Sequence, residues 1–187
     1  VKKKMASEYE TQVLEINAAE IISKLRKLGA KEEEETLQKR WVFEIHPFGT
    51  DSSGKEDWIR LRENKGKATI TYKNKSGTGV DETEEIEFGV SDFDKAYEVL
   101  SKLEGFKGKF YQETKRHKFV LNGTEYTIDS WPKIPVLLEI EGESKEKVEE
   151  GLKLLSLTGK DVGHMGMIKI YNKYGLDLHS FKELRFD

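Results

Sequence analysis

The feature that most constrains this chain is a repeated two-residue alternation in which strand-like runs carry one sign of charge on one parity. The opening run EYETQVLEI, residues 8–16, puts Glu8, Glu10 and Gln12 on one parity and Tyr9, Thr11 and Val13 on the other. Side chains alternate across a strand, so these carboxylates share one face of a sheet. WIRLRE (58–63) sets Arg60 and Arg62 against Ile59 and Leu61, and ATITYKNK (68–75) offers Lys73 and Lys75. ETEEIEF (82–88) sets Glu85 and Glu87 against Ile86 and Phe88. The run at 109–122 offers Arg116 and Lys118, and TEYTID (124–129) ends on Asp129. VLLEIEG (136–142) sets Glu139 and Glu141 against Leu138 and Ile140.

Any one of these runs would serve as a half-exposed antiparallel strand packed on helices. Taken together they differ from a solvated face, which mixes signs along each strand. If the sheet curls into a barrel with its charged face inward, basic walls meet a polyanion and acidic walls hold cations. Like charges ~4 Å apart repel by about 4 kcal/mol at an effective dielectric of ~20, so such clusters call for counter-charges. A phosphate chain with divalent metal ions brings both signs. Carboxylates suit Mg²⁺ or Mn²⁺, arginines suit bidentate phosphate contacts, and lysines act as point charges.

Three helices and a fourth near the C-terminus fall between or after the strands. Asn17 is positioned to cap a helix over 18–28 with Ile21, Ile22, Leu25 and Leu28 on its apolar stripe and Gly29 as its stop. Ser91 or Asp92 caps a second, near 92–104, which is expected to bury Phe93, Ala96, Val99, Leu100 and Leu103. Ser144 and Lys147 open a third with Val148, Leu152, Leu154 and Leu155, and HMGMIKIYNKYG (164–175) reads as the fourth. Residues 35–46 form a further strand. NKGK (64–67) and Asn122-Gly123 mark hairpin turns. About eight strands with short connections, scattered among helices, predict an α+β fold with an antiparallel barrel and helices outside it.

At 187 residues the chain suits a single domain over 7–187, with residues 1–6 set aside as a disordered tail or an expression remnant. Charged residues make up 36%, yet the net charge is only −3, which disfavours non-specific nucleic-acid binding through basic excess. The absence of cysteine excludes disulfides, thiolate metal sites and a cysteine nucleophile. No apolar run has the length of a membrane span, so no membrane role and a cytoplasmic location are expected. The four histidines, His46, His117, His164 and His179, show no metal-ligand spacing, and GKATITYK lacks the ending of a P-loop. Trp41 beside Arg40 could meet a nucleobase, although packing is the commoner use of such a tryptophan.

These residues, in this order, resemble the CYTH superfamily, also called triphosphate tunnel metalloenzymes, which includes class IV adenylyl cyclases and thiamine triphosphatases. The resemblance covers roughly residues 7–175. It rests on EYETQ in place of the family's ExExK, followed by WIRLR, TYKNK, EEIEF, TKRHKF, YTIDSW and LLEIEG. It implies an eight-stranded antiparallel tunnel with helices outside. Glu8, Glu10, Asp129, Glu139 and Glu141 would hold Mg²⁺ or Mn²⁺, and Arg60, Arg62, Lys73, Lys75, Arg116 and Lys118 would bind a triphosphate. Glu85 and Glu87 would line the tunnel or balance its charge. The implied activity is metal-dependent attack on the triphosphate of a nucleotide or of another organic or inorganic triphosphate, with hydrolysis favoured over cyclisation to cyclic AMP and pyrophosphate. The protein would be a monomer or homodimer. One departure stands out: Gln12 occupies the position of the motif lysine. An amide carries no charge and cannot act as a general base near neutral pH. The change fits altered chemistry, slow turnover, an introduced substitution or a domain that only binds nucleotide or polyphosphate. If the tunnel is otherwise competent, restoring lysine would raise turnover at least tenfold.

Overall fold

A computed structural model describes residues 9–47, 55–76 and 83–187. In chain order they form β1 (Tyr9–Val13), α1 (Ala18–Lys27), β2 (Lys31–Glu32), β3 (Thr36–His46), β4 (Lys55–Asn64) and β5 (Lys67–Ser76). Next come β6 (Thr83–Val90), α2 (Phe93–Lys102), β7 (Gly108–Leu121), β8 (Thr124–Ser130) and β9 (Leu137–Gly142). The chain finishes with α3 (Lys145–Leu154), α4 (Met167–Lys173), a short 3-10 turn (Leu178–Ser180) and β10 (Glu183–Leu184). The class is α+β, as expected, with a many-stranded, largely antiparallel sheet and four α-helices among the described residues.

These elements gather into two compact units, the first comprising residues up to Thr36 with Lys115–Leu178, the second Leu37–Thr114 with His179–Asp187. β7 contributes residues to both. In the first unit the strand order is β1-β9-β8-β7, antiparallel throughout, with β2 also on β7. One parity of these strands is apolar. Val13, Leu138, Ile140, Tyr126, Ile128 and Phe119 pack with Ile21 and Leu25 of α1 and Val148 and Leu152 of α3. Full burial of such a side chain is worth about 1.5–3 kcal/mol, and this is what drives the charged parity to the opposite face.

The second unit runs β7-β3-β4-β5-β6, with β10 joining β7 in parallel. Its core holds Phe43, Leu61 and Leu100, with Trp41, Ile59, Ile70, Val90, Phe93, Ala96, Tyr97 and Phe106 packed around them. Trp41 stacks on Tyr97 at 4.3 Å between ring centroids. Its parity is opposite to Arg40, so Trp41 is a packing residue rather than a base platform.

Local signals set the boundaries. Asn17 and Asp92 accept from the backbone N–H of Glu20 and Lys95, and Ser144 accepts from that of Lys147. Each is the side-chain cap of its helix, and between Ser91 and Asp92 the structure selects Asp92. Both hairpin turns have two successive positive φ angles, at Lys65 (51°) and Gly66 (72°) and at Asn122 (52°) and Gly123 (81°). That is the type I′ geometry whose twist suits adjoining strands.

Several expectations are corrected. Val99 and Leu103 are 63% and 50% exposed, because α2 turns the stripe Phe93, Ala96, Tyr97, Leu100 inward and leaves these two on its flank. Leu28 and Leu154 are exposed for a similar reason, each lying at or beside a helix end. The fourth helix covers only Met167–Lys173, its N-cap being Gly166, which has no side chain to extend the cap. Among the residues after it, which would be expected from sequence to pack loosely over 176–186, Leu178 and Leu184 are buried and β10 pairs with β7.

Leu138 and Ile86 both stand on the apolar parity of their strands, yet their burial differs and predicts a sharp contrast. Leu138→Ala, at a fully buried position, should lower stability by about 2–5 kcal/mol. Ile86→Ala, at a position 55% exposed, should stay within roughly 0.5 kcal/mol of the unaltered protein. Urea unfolding of both variants measures the difference; similar losses would contradict the exposure of Ile86.

Candidate metal centre

The polar face of the first unit is built by cross-strand register. β1 pairs with β9 so that Glu10 lies opposite Glu141 and Gln12 opposite Glu139. On β8 the same row continues with Glu125 opposite Glu141 and Thr127 opposite Glu139. On β7, Arg116 stands opposite Asp129 and Lys118 opposite Thr127. Backbone bonds sharpen the β1–β9 contact. The Gln12 N–H donates to the Gly163 carbonyl (3.2 Å), and the Gln12 carbonyl accepts from Val162 N–H (2.8 Å). Both groups therefore point away from β9, which makes Gln12 and Glu139 a non-hydrogen-bonded pair, the type with the closer side chains. Glu10 and Glu141, two residues along, share that type.

Glu10, Glu139 and Glu141 each offer a carboxylate oxygen, and these three atoms lie within 4.8 Å of one another. All three side chains are partly buried. Hard oxygen donors from three carboxylates fit a divalent cation such as Mg²⁺ or Mn²⁺. Glu8 lies outside the described residues. Asp129 takes another part: Arg116 donates to it twice, Nε to Oδ1 at 2.8 Å and Nη2 to Oδ2 at 2.6 Å. Arg116 Nη2 also lies 3.6 Å from Glu139 Oε1. Lys118 pairs with Glu125, a face residue not among the candidates from sequence although it shares the parity of Asp129.

Electrostatics follow from this crowding. Burial chiefly pushes the Glu139 carboxyl above its ordinary value. The charge of Arg116 opposes that shift, Asp129 and Glu10 add to it, and the Gln12 hydrogen bond opposes it. Burial works against the Arg116 cation, but its bonds to Asp129 and the charges of Asp129, Glu139 and Glu125 outweigh it and hold the guanidinium above its usual range.

Gln12 is 4% exposed, and its carboxamide is engaged at both ends. Nε2 donates to Glu139 Oε2 (3.2 Å), and Oε1 accepts from the Met165 backbone N–H (3.0 Å). Next to it, Thr11 Oγ1 donates to Asp161 Oδ2 (2.9 Å), and His164 Nδ1 lies 2.6 Å from Glu10 Oε1. Sequence spacing sets His164 aside and does not mark Asp161 or Met165, since they sit in a segment without alternation.

The remaining basic candidates belong to the second unit, where they again share one strand parity. Arg60 and Arg62 approach Glu87 Oε2 at 3.6 and 3.8 Å, and Lys73 pairs with Glu85. Thr71 links the group, accepting from Arg60 Nη2 (3.3 Å) and donating to Glu87 Oε2 (2.6 Å). Glu85 and Glu87 thus sit against the basic side chains. Arg40, directly opposite Arg62 on β3, belongs to the same parity. Two cations face to face are unfavourable alone. Lys75 lies on β5, but its side chain falls outside the described residues.

A carboxyl raised on folding stabilises the protein below its unfolded value, and that contribution is lost as pH rises through the folded one. Stability of the metal-free protein should accordingly fall as pH climbs from the ordinary glutamate value of 4.5 through the raised value of Glu139. Glu139→Gln should flatten that dependence and raise the neutral-pH melting temperature by roughly 2–4 °C. Thermal unfolding in a chelator at several pH values is the measurement; an unchanged slope would contradict it.

Comparison with known families matches residues 6–163 to the CYTH domain. No curated protein matches the chain. Among solved structures, the PH1012 protein of Pyrococcus horikoshii OT3 is similar at 28% identity and a TM-score of 0.66, covering 84% of this chain and 94% of that one. A protein provisionally assigned as an adenylate cyclase from Vibrio parahaemolyticus shares the fold at 18% identity and a TM-score of 0.67, covering 88% and 97%. A Hippeastrum protein, provisionally an adenylyl cyclase and described as having a dominant triphosphatase activity, shares it at 16% identity and a TM-score of 0.54, covering 92% and 98%. The family match begins before β1 and ends in the segment that bonds to β1, so it takes in every strand of the carboxylate face: the chain belongs to the CYTH domain family.

Proposed function

We propose that this chain is a divalent-metal-dependent enzyme acting on the triphosphate of a nucleotide or of another organic or inorganic triphosphate, with hydrolysis favoured over cyclisation. CYTH superfamily members are metal-dependent enzymes that act on triphosphates. The single observation that carries the reading is the carboxylate group Glu10, Glu139 and Glu141 on one sheet face, with Arg116 beside it. These three glutamates would hold the cation, with Glu8 as a fourth acid by the family resemblance. A divalent cation, when bound, neutralises phosphoryl oxygens and acidifies water.

The protein's own groups then divide the work. Glu139 is held between Gln12 and Arg116, so its oxygens are aimed before any ligand arrives. Asp129 fixes the guanidinium of Arg116 by two bonds, and in this reading orients that cation for a phosphate rather than ligating metal. Arg60, Arg62, Lys73, Lys75 and Lys118 take triphosphate oxygens by the family resemblance, with Glu85 and Glu87 balancing their charge when no substrate is present. Gln12 supplies no general base. Hydrolysis is favoured because water needs no positioned ribose hydroxyl. We also propose a cytoplasmic protein without specific nucleic-acid or membrane partners, working as a monomer or homodimer. No described helix is long and apolar enough to cross a bilayer.

Incubation with ATP, thiamine triphosphate and tripolyphosphate, each with Mg²⁺ or Mn²⁺, should release orthophosphate. Glu141→Ala should lower that release at least a hundredfold and weaken Mn²⁺ binding in calorimetry while the fold persists. Cyclic AMP with pyrophosphate would replace hydrolysis by cyclisation, and tight binding without product would leave a binding domain. Undiminished turnover in Glu141→Ala would move the metal site elsewhere.

A further inference from the structure

We propose that Gln12 is a positioning residue that couples the orientation of Glu139 to the order of the segment 161–165, so that cation affinity and the ordering of that segment rise and fall together. The inference rests on the reading of Glu10, Glu139 and Glu141 as the metal site.

The geometry is that of a two-ended connector. The Gln12 side chain is buried, so its amide needs partners on both sides. One end donates to Glu139 Oε2 at 3.2 Å, and the other accepts the Met165 N–H at 3.0 Å. Glu139 is thereby fixed between two different neighbours, Gln12 on Oε2 and Arg116 near Oε1. The segment is fixed through four further contacts with β1: Val162 N–H to the Gln12 carbonyl, Gln12 N–H to the Gly163 carbonyl, Thr11 to Asp161, and His164 to Glu10. His164 ties the segment to Glu10, and the carboxamide is the tie that joins it to Glu139.

Residue type matters here. Glutamine has a donor and an acceptor on one planar group, whereas lysine has donors only. A lysine at position 12 could still meet Glu139, but it would leave the Met165 N–H without its acceptor. It would also set a cation against a carboxylate meant for metal. This reverses the expectation, drawn from sequence, that Gln12→Lys improves the enzyme. Partners that orient a ligating carboxylate typically change metal affinity 10–100-fold when removed, and coupling of two events through one group is reciprocal.

The test follows amide hydrogen exchange at Met165 and Mn²⁺ affinity by calorimetry in the full chain. In the unaltered protein, Mn²⁺ should slow Met165 exchange. Gln12→Leu should speed that exchange at least tenfold, weaken Mn²⁺ binding about 10–100-fold and shrink the response of Met165 to Mn²⁺ to the part carried by His164 on Glu10. Gln12→Lys should do the same, and it serves as the second variant if the leucine protein does not fold. Faster Met165 exchange with Mn²⁺ affinity within twofold of the unaltered protein would reduce Gln12 to a structural tie and overturn the proposal. Should the unaltered protein take up no Mn²⁺, the metal reading falls, and the coupling is decided without metal. In that case Glu139→Ala must speed Met165 exchange in the presence of Gln12 and leave it unchanged in Gln12→Leu; any other pattern overturns it.

Discussion

The register of β1 against β9 is the constraint on which the first unit depends. Thr11 and Val13 lie opposite Ile140 and Leu138, and Glu10 and Gln12 lie opposite Glu141 and Glu139. Because the side-chain period is two, a slip of one residue would bring glutamates under α1 and α3 and turn leucine and isoleucine outward. The apolar parity therefore enforces the placement of the carboxylates. Three acidic oxygens within 4.8 Å are not a stable arrangement by themselves. The helices on the opposite face make it affordable, since burying Leu138 and Ile140 fixes the strand whatever its other parity carries.

The charged face is also balanced from within. Arg116 binds Asp129 by two short bonds and leans toward Glu139, so one cation serves two acids on neighbouring strands. Lys118 answers Glu125 in the next rank. In the second unit the signs are exchanged: Arg60, Arg62 and Lys73 face Glu87 and Glu85. Each unit thus carries on its polar face the minority charge that keeps the majority charge tolerable in the absence of ligand.

Much of this was legible in the sequence, and the reason is specific. Period two along LLEIEG assigns Leu138 and Ile140 to the core and Glu139 and Glu141 to the other face, and the structure has them there. Asn17, Ser144 and the Asn122-Gly123 turn were equally readable, because caps and type I′ turns are decided by a few adjacent residues. What escaped is non-local. The partner of the Gln12 acceptor is 153 residues away, and that of Thr11 is 150 away. Neither follows from any spacing, and both lie in a stretch with no repeating pattern. The rotation of α2 escaped for another reason: Val99 and Leu103 are as apolar as their neighbours, so only packing shows that the stripe passes beside them. For Asp129, sequence gave the correct face but not the company, since nothing in YTID reveals a bidentate arginine on the facing strand.

The bonds between β1 and residues 162–163 have a bearing on how the chain avoids self-association. β1 is short and stands at the end of its strand order, with β9 on one side only. An edge strand with unpaired amides is a template onto which another chain can add. Val162 and Gly163 occupy the Gln12 carbonyl and N–H, so a buried residue of the carboxylate face is also the point where lateral growth of the sheet is blocked. Shortening the chain just before Asp161 would therefore do more than remove a few contacts. It would convert a finished margin into an adhesive one, and the first visible symptom would be loss of solubility rather than loss of fold.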